Sequence, residues 1–528
     1  MQAVGAMQLS GETVGQALAR VARDSGGDRA LVWLTDRGVE CMTWAELYAK
    51  ACAAGVALQD LNPDRGRVAL VGPNSVDWIV SMFGCAVAQM PVVPIGPSVT
   101  DSEALHMLSQ TNTRVVLAAD RVGDNAVYRR MCKVADQLSA RPVLRDIAAW
   151  IDTSTSVPPT PGQASDTDEF FVQHTSGTTG LPKGAVLSHR AALGSARAWR
   201  DAIGLQAGEP WLNPLPLNHV GGFITGLLTT LSVAGTYTVV ERFTAQTALR
   251  AIREIRPAVV ALVPTMIIDL LGVEGVSPSD FASVRTVAGG ASPVDPGLIE
   301  EVERRLGLTF LVGYGQSEAP SMAASAPSDP TQVRTQSLGH CLPGRDYYIR
   351  DAAGRVLPTG AVGELCVRGP LVMTGYLRGD GSIDAAVDDA GWLATGDLCS
   401  MDDQHVLTFR GRVREVIIRG GSNVYPAEVE QVLTTHPSVA EAAVFGVPDK
   451  RLGERVVAAV LPHPGGHLDP DDVAAYAEPL LSRYKRPTEW IVAATLPRTS
   501  TGKVRKHLLS QWYDEGTLHA RCAGPQSV

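Results

Sequence analysis

The chain has 528 residues, 45% of them hydrophobic, which is more than one core holds, because single cores stop growing at roughly 250 to 300 residues. It carries 46 basic against 55 acidic side chains, net -9 and with no long run of either sign, which argues against a nucleic-acid or anionic-membrane partner. The eight cysteines are scattered without a CxxC pair, so no disulfide framework is expected and they read as residues of a reducing cytosol.

The first residues, MQAVGAMQLSGETVGQ, have neither the basic start nor the long apolar segment of a secretory signal, and a cytoplasmic protein is expected. Through the first four hundred residues, short β-rich runs alternate with helical patterns. VALVGP (Val68–Pro73) precedes a helix over Ser75–Val87 and then PVVPIG, and a helix over Asp101–Gln110 precedes VVLAA (Val115–Ala119). Such alternation implies parallel strands joined by crossover helices. Residues 152–168, DTSTSVPPTPGQASDTD, are rich in Pro, Ser, Thr and Asp and read as a surface loop inside one large domain.

The segment FVQHTSGTTGLPKGAVLSH (Phe171–His189) then places six small hydroxyl or glycine residues, Thr175 to Gly180, after an apolar strand, with Lys183 three residues on. Consecutive glycines and hydroxyl residues let backbone N–H and side-chain O–H groups wrap a polyanion, and a lysine adds a point charge. The pattern is not Walker A, which needs Gly before Lys, since here Pro182 precedes Lys183. Further on, residues 221–240 are uncharged over the length of a membrane span, but their threonines and glycines split them into a buried helix (Phe223–Val233), a stop at Gly235 and a strand (Thr236–Val240).

Near residue 412 the texture changes. FRGRVREVIIRGGSNVYPAEVEQVL gives a strand, a double-glycine turn and a helix with Pro426 at its start and Glu428 and Glu430 early, where they suit the helix dipole. Two strands (Ala440–Phe445 and Arg455–Leu461), a helix over Asp471–Ser482 and the basic PRTSTGKVRK follow, and the last dozen residues are expected to be loose. The expected fold is α/β, with a large multi-subdomain N-terminal domain of mostly parallel sheets (1–412) and a small, mobile α+β C-terminal lid domain (413–528).

The phosphate-type loop ending in LPKG resembles that of the adenylate-forming superfamily of acyl-CoA and aryl-CoA synthetases, peptide-synthetase adenylation domains and beetle luciferases. The resemblance continues in family order through PLPLNHVGGF (Pro214–Phe223), VAGGASP (Val287–Pro293), VGYGQSEA (Val312–Ala319), GELCVRGP (Gly363–Pro370) and TGDL (Thr395–Leu398). It ends with GRVREVIIRGGSNVYPAEVE and PRTSTGKVRK. It implies attack of a carboxylate on the α-phosphorus of ATP, then transfer of the acyl group to the thiol of coenzyme A. By the same resemblance Thr175, Ser176, Gly177, Thr178, Thr179, Gly180 and Lys183 hold the outer phosphates. Glu318 holds Mg2+, and Ser317 stands where a threonine usually touches the α-phosphate. Tyr314 and Gly315, with Gly290, Ala291 and Ser292, border the adenine and the acyl group, and Asp397 binds the ribose with Arg412 beside it. His219 shields or steers the substrate carboxylate, Lys503 enters between that carboxylate and the α-phosphate, and Gly420 and Gly421 line a pantetheine channel. Arg414 takes the hinge place, where the family commonly has Lys or Asp.

No acid follows LNHVGGF to bind an ammonium group, so a free α-amino acid is disfavoured, and the mostly apolar walls expected from Val220–Leu231 and Val263–Ile268 suit a fatty, aryl or polycyclic acid. An acyl carrier protein is the alternative acceptor. A luciferase-like oxygenase shares every motif, and a non-catalytic nucleotide-binding module would not need Lys503, Glu318 and Asp397 together. A monomer and a homodimer are both compatible with the sequence.

Overall fold

The computed structural model describes residues 2–3, 7–150, 164–175, 182–290, 294–420, 422–463, 465–498 and 504–518. These form two compact units. The first contains residues up to Tyr347, with Val367–Leu393 and Gln404–Leu407, and the second contains Tyr348–Cys366, Ala394–Asp403 and the chain from Thr408 onward.

In the first unit, six strands lie parallel in the order Thr309–Tyr314, Thr286–Gly290, Val259–Ala261, Pro210–Leu212, Thr236–Val239 and Arg29–Thr35. Antiparallel strands flank them, Ala323–Ala324 and Gly339–Cys341 on one side and Gly38–Thr43 on the other. A second sheet has parallel strands Glu169–Thr175, Val92–Ile95, Val68–Val71, Val115–Ala118 and Val143–Asp146. Lys183–Ser188, Gly375–Leu377 and Ile383–Asp384 extend it in the antiparallel sense.

The sequence explains these elements locally. Val68–Val71, Val92–Ile95 and Val115–Ala118 are buried at every position, as parallel strands covered on both faces must be. The helix Val76–Ala88 starts where the Ser75 hydroxyl accepts from the Trp78 N–H. Thr100 and Glu103 form a reciprocal capping box for Asp101–Gln110. Both helices and all three strands fall where the periodicity places them.

The uncharged segment 221–240 is mostly interior. It forms helix Val220–Gly222, a π-turn Phe223–Leu228, helix Thr229–Leu231 and strand Thr236–Val239. Among the described residues no helix is long and apolar enough to cross a membrane.

The second unit contains a five-stranded sheet. Ser422–Val424, Ile417–Arg419, Gly453–Pro462 and Val439–Asp449 are antiparallel neighbours, and Glu489–Val492 runs parallel to Gly453–Pro462. Its two faces bury separate clusters, one including Val429, Leu433, Val444 and Val473, the other Phe445, Val457, Ile491 and Leu509. One expectation changes here: the helix predicted to end at Ser482 spans Pro470–Ala477. Lys506–Asp514, to which the sequence pattern assigned no element, is a helix whose Leu509 fills the second face.

Burial also sets a pH dependence. His189 opens the helix His189–Ile203, stacks on Phe170 at 4.6 Å between ring centroids, and accepts the Val14 N–H on Nδ1 at 3.2 Å. Burial pushes its pKa down to about 4 against the opposing pull of Asp168 and Asp166, and pushes His174 down to about 3. Between about pH 6.5 and 4 the unfolded His189 side chain binds a proton that the native one does not, so stability falls as pH drops through that window. Denaturant unfolding at pH 7 and pH 4 is expected to show a loss about 3 kcal/mol larger in the wild type than in His189→Asn, which keeps an acceptor but does not titrate. Equal losses would exclude a buried neutral imidazole.

Candidate active site

The strands Glu169–Thr175 and Lys183–Ser188 pair antiparallel with Thr175 opposite Lys183, and the Thr175 hydroxyl donates to the Lys183 carbonyl at 3.4 Å. The Ser/Thr/Gly loop therefore joins the two arms of a hairpin, where strand–helix alternation alone would send the chain into a crossover. Ser176, Gly177, Thr178, Thr179 and Gly180 lie outside the described residues. His106 Nε2 lies 2.9 Å from the Pro182 carbonyl beside the arm that starts with Lys183.

A neighbouring turn presents Glu318. The strand Thr309–Tyr314 ends in it, Gln316 N donates to Ala319 O at 3.1 Å, and Met322 N returns to Tyr314 O at 2.8 Å. Gly315 is required by this fold-back, since a Cβ there would sit 2.5 Å from the Ser321 nitrogen. The buried Arg345 guanidinium fixes the outer side of the turn. It donates to Pro320 O, Ser321 O, Leu371 O and Ser195 Oγ at 2.5 to 3.0 Å. A buried cation surrounded by neutral oxygens holds its place through hydrogen bonds, not through a counter-charge.

Glu318 itself is gripped twice from the segment 373–376. Met373 N donates to its carbonyl at 2.7 Å, and the Tyr376 hydroxyl donates to Oε1 at 2.6 Å. The Lys183 ammonium lies 5.3 Å from the centroid of the same Tyr376 ring. One tyrosine thus touches both the lysine of the hairpin and the carboxylate of the turn. It was not among the residues that sequence reasoning selected. Its only mark is the position of TGYL just after GELCVRGP, 58 residues from Glu318.

Gly290 ends its strand opposite Gly313, and a Cβ would meet the Gly313 carbonyl at 2.2 Å, while one on Gly289 would meet Phe310 at 2.4 Å. These glycines are fixed first by packing within their own sheet. Ala291 and Ser292 lie outside the described residues, and Tyr314 and Ser317 are half-buried. The loop carrying His219 is tied to the scaffold on two sides. Asn74 donates to Leu215 O and accepts from Leu217 N, and Gln173, two residues before Thr175, donates to Asn218 O. His219 is half-buried and its carbonyl receives Phe223 N.

The expected acyl wall over Val220–Leu231 is corrected by this packing. Phe223, Ile224, Leu227 and Leu228 are 0% exposed, and Phe223 stacks on Phe171 at 4.6 Å and meets Trp78 edge-on, so those side chains belong to the core. His219, Val220, Gly221 and Thr225, with Val263 and Met266, retain exposure.

In the second unit Asp397 is 3% exposed in its side chain and Arg412 Nε lies 3.2 Å from its Oδ1. The turn beneath it is built by Thr395, whose hydroxyl receives Asp397 N and donates to Leu365 O, and by Gly396 N, which donates to Glu364. Gly420 has φ +59 and donates to Leu452 O at 2.6 Å, so the turn itself calls for glycine there. Gly421 and Lys503 lie outside the described residues.

Three residues past Lys503, Lys506 reaches Glu415 at 3.0 Å and Glu430 at 2.7 Å, and Glu430 also accepts from Val444 N. Burial would lower the Lys506 pKa, but the two carboxylates outweigh it and raise it; burial raises that of Glu430 against the opposing pull of the lysine. Glu415 follows Arg414 in the short 3-10 turn Val413–Glu415. One ammonium thereby binds the predicted hinge turn, the helix Pro426–Thr434 and the start of Lys506–Asp514 together.

Among the described residues no group of three His, Cys, Asp or Glu could hold a metal ion. A lone carboxylate at Glu318 fits Mg2+, which keeps water and takes substrate phosphates as ligands, needing one or two protein carboxylates. The first unit thus offers a lysine for phosphate and a carboxylate for the phosphate-bound cation. The second offers a buried carboxylate suited to a vicinal diol.

The family model described as AMP-binding enzyme matches residues 18–377, and the model described as AMP-binding enzyme C-terminal domain matches residues 428–503. A fatty acid–[acyl-carrier-protein] ligase, ScoC of Streptomyces coeruleorubidus, is 34% identical over 88% of this chain and 89% of its own. A 3-[(3aS,4S,7aS)-7a-methyl-1,5-dioxo-octahydro-1H-inden-4-yl]propanoyl:CoA ligase of Rhodococcus jostii is 31% identical over 94% of this chain and 98% of its own. The solved structure of ATP-bound MatB from Rhodopseudomonas palustris superposes with a TM-score of 0.84 at 25% identity, covering 95% of this chain and 99% of that one.

Lys506→Met would leave Glu415 and Glu430 facing each other without their cation. A loss of about 2 to 3 kcal/mol is expected in urea unfolding, below the roughly 3 to 5 of a fully buried pair because these side chains keep some exposure. Arg250→Ala, which removes the exposed i,i+4 partner of Glu254 and a donor to Thr35 O, should cost clearly less. Similar small losses for both would show that the Lys506 cluster holds nothing together.

Proposed function

Because the chain belongs to the AMP-binding enzyme family, we propose that it is an acid–thiol ligase. It activates a carboxylic acid with ATP, releases pyrophosphate, and passes the acyl group from the adenylate to coenzyme A. The observation that carries this reading is the meeting of Lys183 and Glu318 at Tyr376, which puts a cation for phosphate and a carboxylate for a phosphate-bound metal on one small piece of the first unit.

The reaction brings two anions together, so the chain's work is positioning and charge neutralisation. Thr175 and Lys183, with Ser176, Gly177, Thr178, Thr179 and Gly180 between them, hold the outer phosphates. Ser317 donates to the α-phosphate. Bound Mg2+ supplies charge to the phosphate oxygens, and Glu318 holds it. Tyr314, with the backbone of Gly290, Ala291 and Ser292, borders the adenine. Asp397 accepts from the ribose hydroxyls with Arg412 at its side, and His219 steers the incoming carboxylate. Lys503 places an ammonium between carboxylate oxygen and α-phosphorus, where it offsets charge on both. The carboxylate oxygen then forms the new bond to phosphorus as pyrophosphate leaves, and the thiol later takes the acyl carbon from AMP. Gly420 and Gly421 leave room for the pantetheine arm.

The acid is apolar, fatty, aryl or polycyclic, as the exposed part of the His219 loop and the helix after Val263 suggest. A holo carrier protein is the second reading of the acceptor, favoured by the likeness to ScoC. Pyrophosphate release is expected from a panel of apolar acids with ATP and Mg2+. Steady turnover on adding coenzyme A marks the ligase, and turnover only with a holo carrier protein marks the second reading. Lys503→Ala should lower adenylate formation about a thousandfold while sparing thioester formation from supplied adenylate, in line with losing one preorganised charge. Adenylate formation at the wild-type rate in this variant would remove Lys503 from the reaction.

A further inference from the structure

We infer that Tyr376 is a positioning residue whose hydroxyl sets the Glu318 carboxylate for the nucleotide-bound cation and whose ring seats the Lys183 ammonium, so that both charges take station from one side chain. Three independent contacts carry this. The phenol donates to Glu318 Oε1 at 2.6 Å. The ring lies 5.3 Å from Lys183 Nζ. The strand Gly375–Leu377 pairs with the hairpin arm Lys183–Ser188, with Tyr376 opposite Ala185 and Gly375 opposite Val186.

The backbone fixes the tyrosine as firmly as it fixes its partners. Thr374 N donates to Val186 O at 2.8 Å, and Met373 N donates to Glu318 O at 2.7 Å. A Cβ on Gly375 would meet the Asp384 carbonyl at 2.2 Å, so the neighbouring strand Ile383–Asp384 lies close behind. Four consecutive residues, 373 to 376, therefore join the turn bearing Glu318 to the hairpin bearing Lys183. A hydrogen bond to one carboxylate oxygen fixes the plane of the group and directs the other oxygen, a second-layer contact of the kind that tunes metal ligands. Phenylalanine at 376 would keep the ring under Lys183 and lose the hold on Glu318. Leucine would lose both.

The inference rests on Glu318 being the magnesium carboxylate of the proposed function, and the test separates the two. ATP binding without acid is measured by titration calorimetry, in Mg2+ and in EDTA, for wild type, Tyr376→Phe, Tyr376→Leu and Glu318→Gln, with thermal unfolding as the check on folding. Tyr376→Phe is expected to weaken binding in Mg2+ about tenfold and to leave binding in EDTA unchanged, the size of one hydrogen bond to a charged group. Tyr376→Leu is expected to weaken binding in EDTA as well, through Lys183. Glu318→Gln weakens only the Mg2+ arm. If Tyr376→Phe binds like wild type in both media while Glu318→Gln loses the Mg2+ arm, the role of Tyr376 is overturned and Glu318 stands. If Tyr376→Phe loses equally in both with a lowered unfolding temperature, its role is structural and the inference fails. If Glu318→Gln binds MgATP like wild type, the reading of Glu318 falls, and this one with it.

Discussion

A carboxylate approaches a polyphosphate only where fixed positive charge and hydrogen-bond donors have already offset their repulsion, and those groups cannot be placed by flexible loops alone. In this chain the fixing element is the short strand Gly375–Leu377. It extends the second sheet beside Lys183–Ser188 and reaches the turn that carries Glu318. The turn is closed from its far side by Arg345 and by Tyr347, whose hydroxyl donates to Met322 O and Leu342 O. Side chains that share a rigid base keep their spacing when substrate arrives, which is what electrostatic preorganisation requires.

The second unit solves a related problem by other means. Its proposed ribose carboxylate, Asp397, is nearly buried and is held by a turn whose donors are spent on Glu364 and Leu365. Its proposed hinge turn and the residues following Lys503 are joined through Lys506, a cation between two carboxylates. Breaking one partner of such a cluster leaves an uncompensated charge, so its value lies in fixing how segments meet more than in net stability.

Much of the first unit was legible in the sequence because parallel strands buried on both faces read as continuous Val, Ile and Ala runs, and because Ser75 and Thr100 mark helix starts by their caps. The division of 221–240 into helix and strand was equally readable, since a glycine stop and threonines interrupt the apolar run. What the pattern hid was the use of each apolar face. Phe223 and Leu227 have the composition of a hydrophobic pocket, yet Trp78, Phe170 and Phe171 claim Phe223 for the core, a contact that spans more than fifty residues of chain. The hairpin at Thr175–Lys183 was hidden for a similar reason: strand periodicity does not carry the direction of pairing. The resemblance reached the charged residues proposed to touch ligand. It did not reach Tyr376, whose partners Glu318 and Lys183 are 58 and 193 residues away in sequence.

The account turns on the oxygen of the substrate acid becoming bonded to the α-phosphorus. Turnover of a carboxylic acid labelled with 18O in both carboxylate oxygens, with ATP, Mg2+ and coenzyme A, followed by mass spectrometry of the nucleotide, tests this directly. One 18O atom in each AMP, with unlabelled pyrophosphate, is the predicted result. Label in orthophosphate accompanied by ADP would show attack at the γ-phosphorus and would contradict the account.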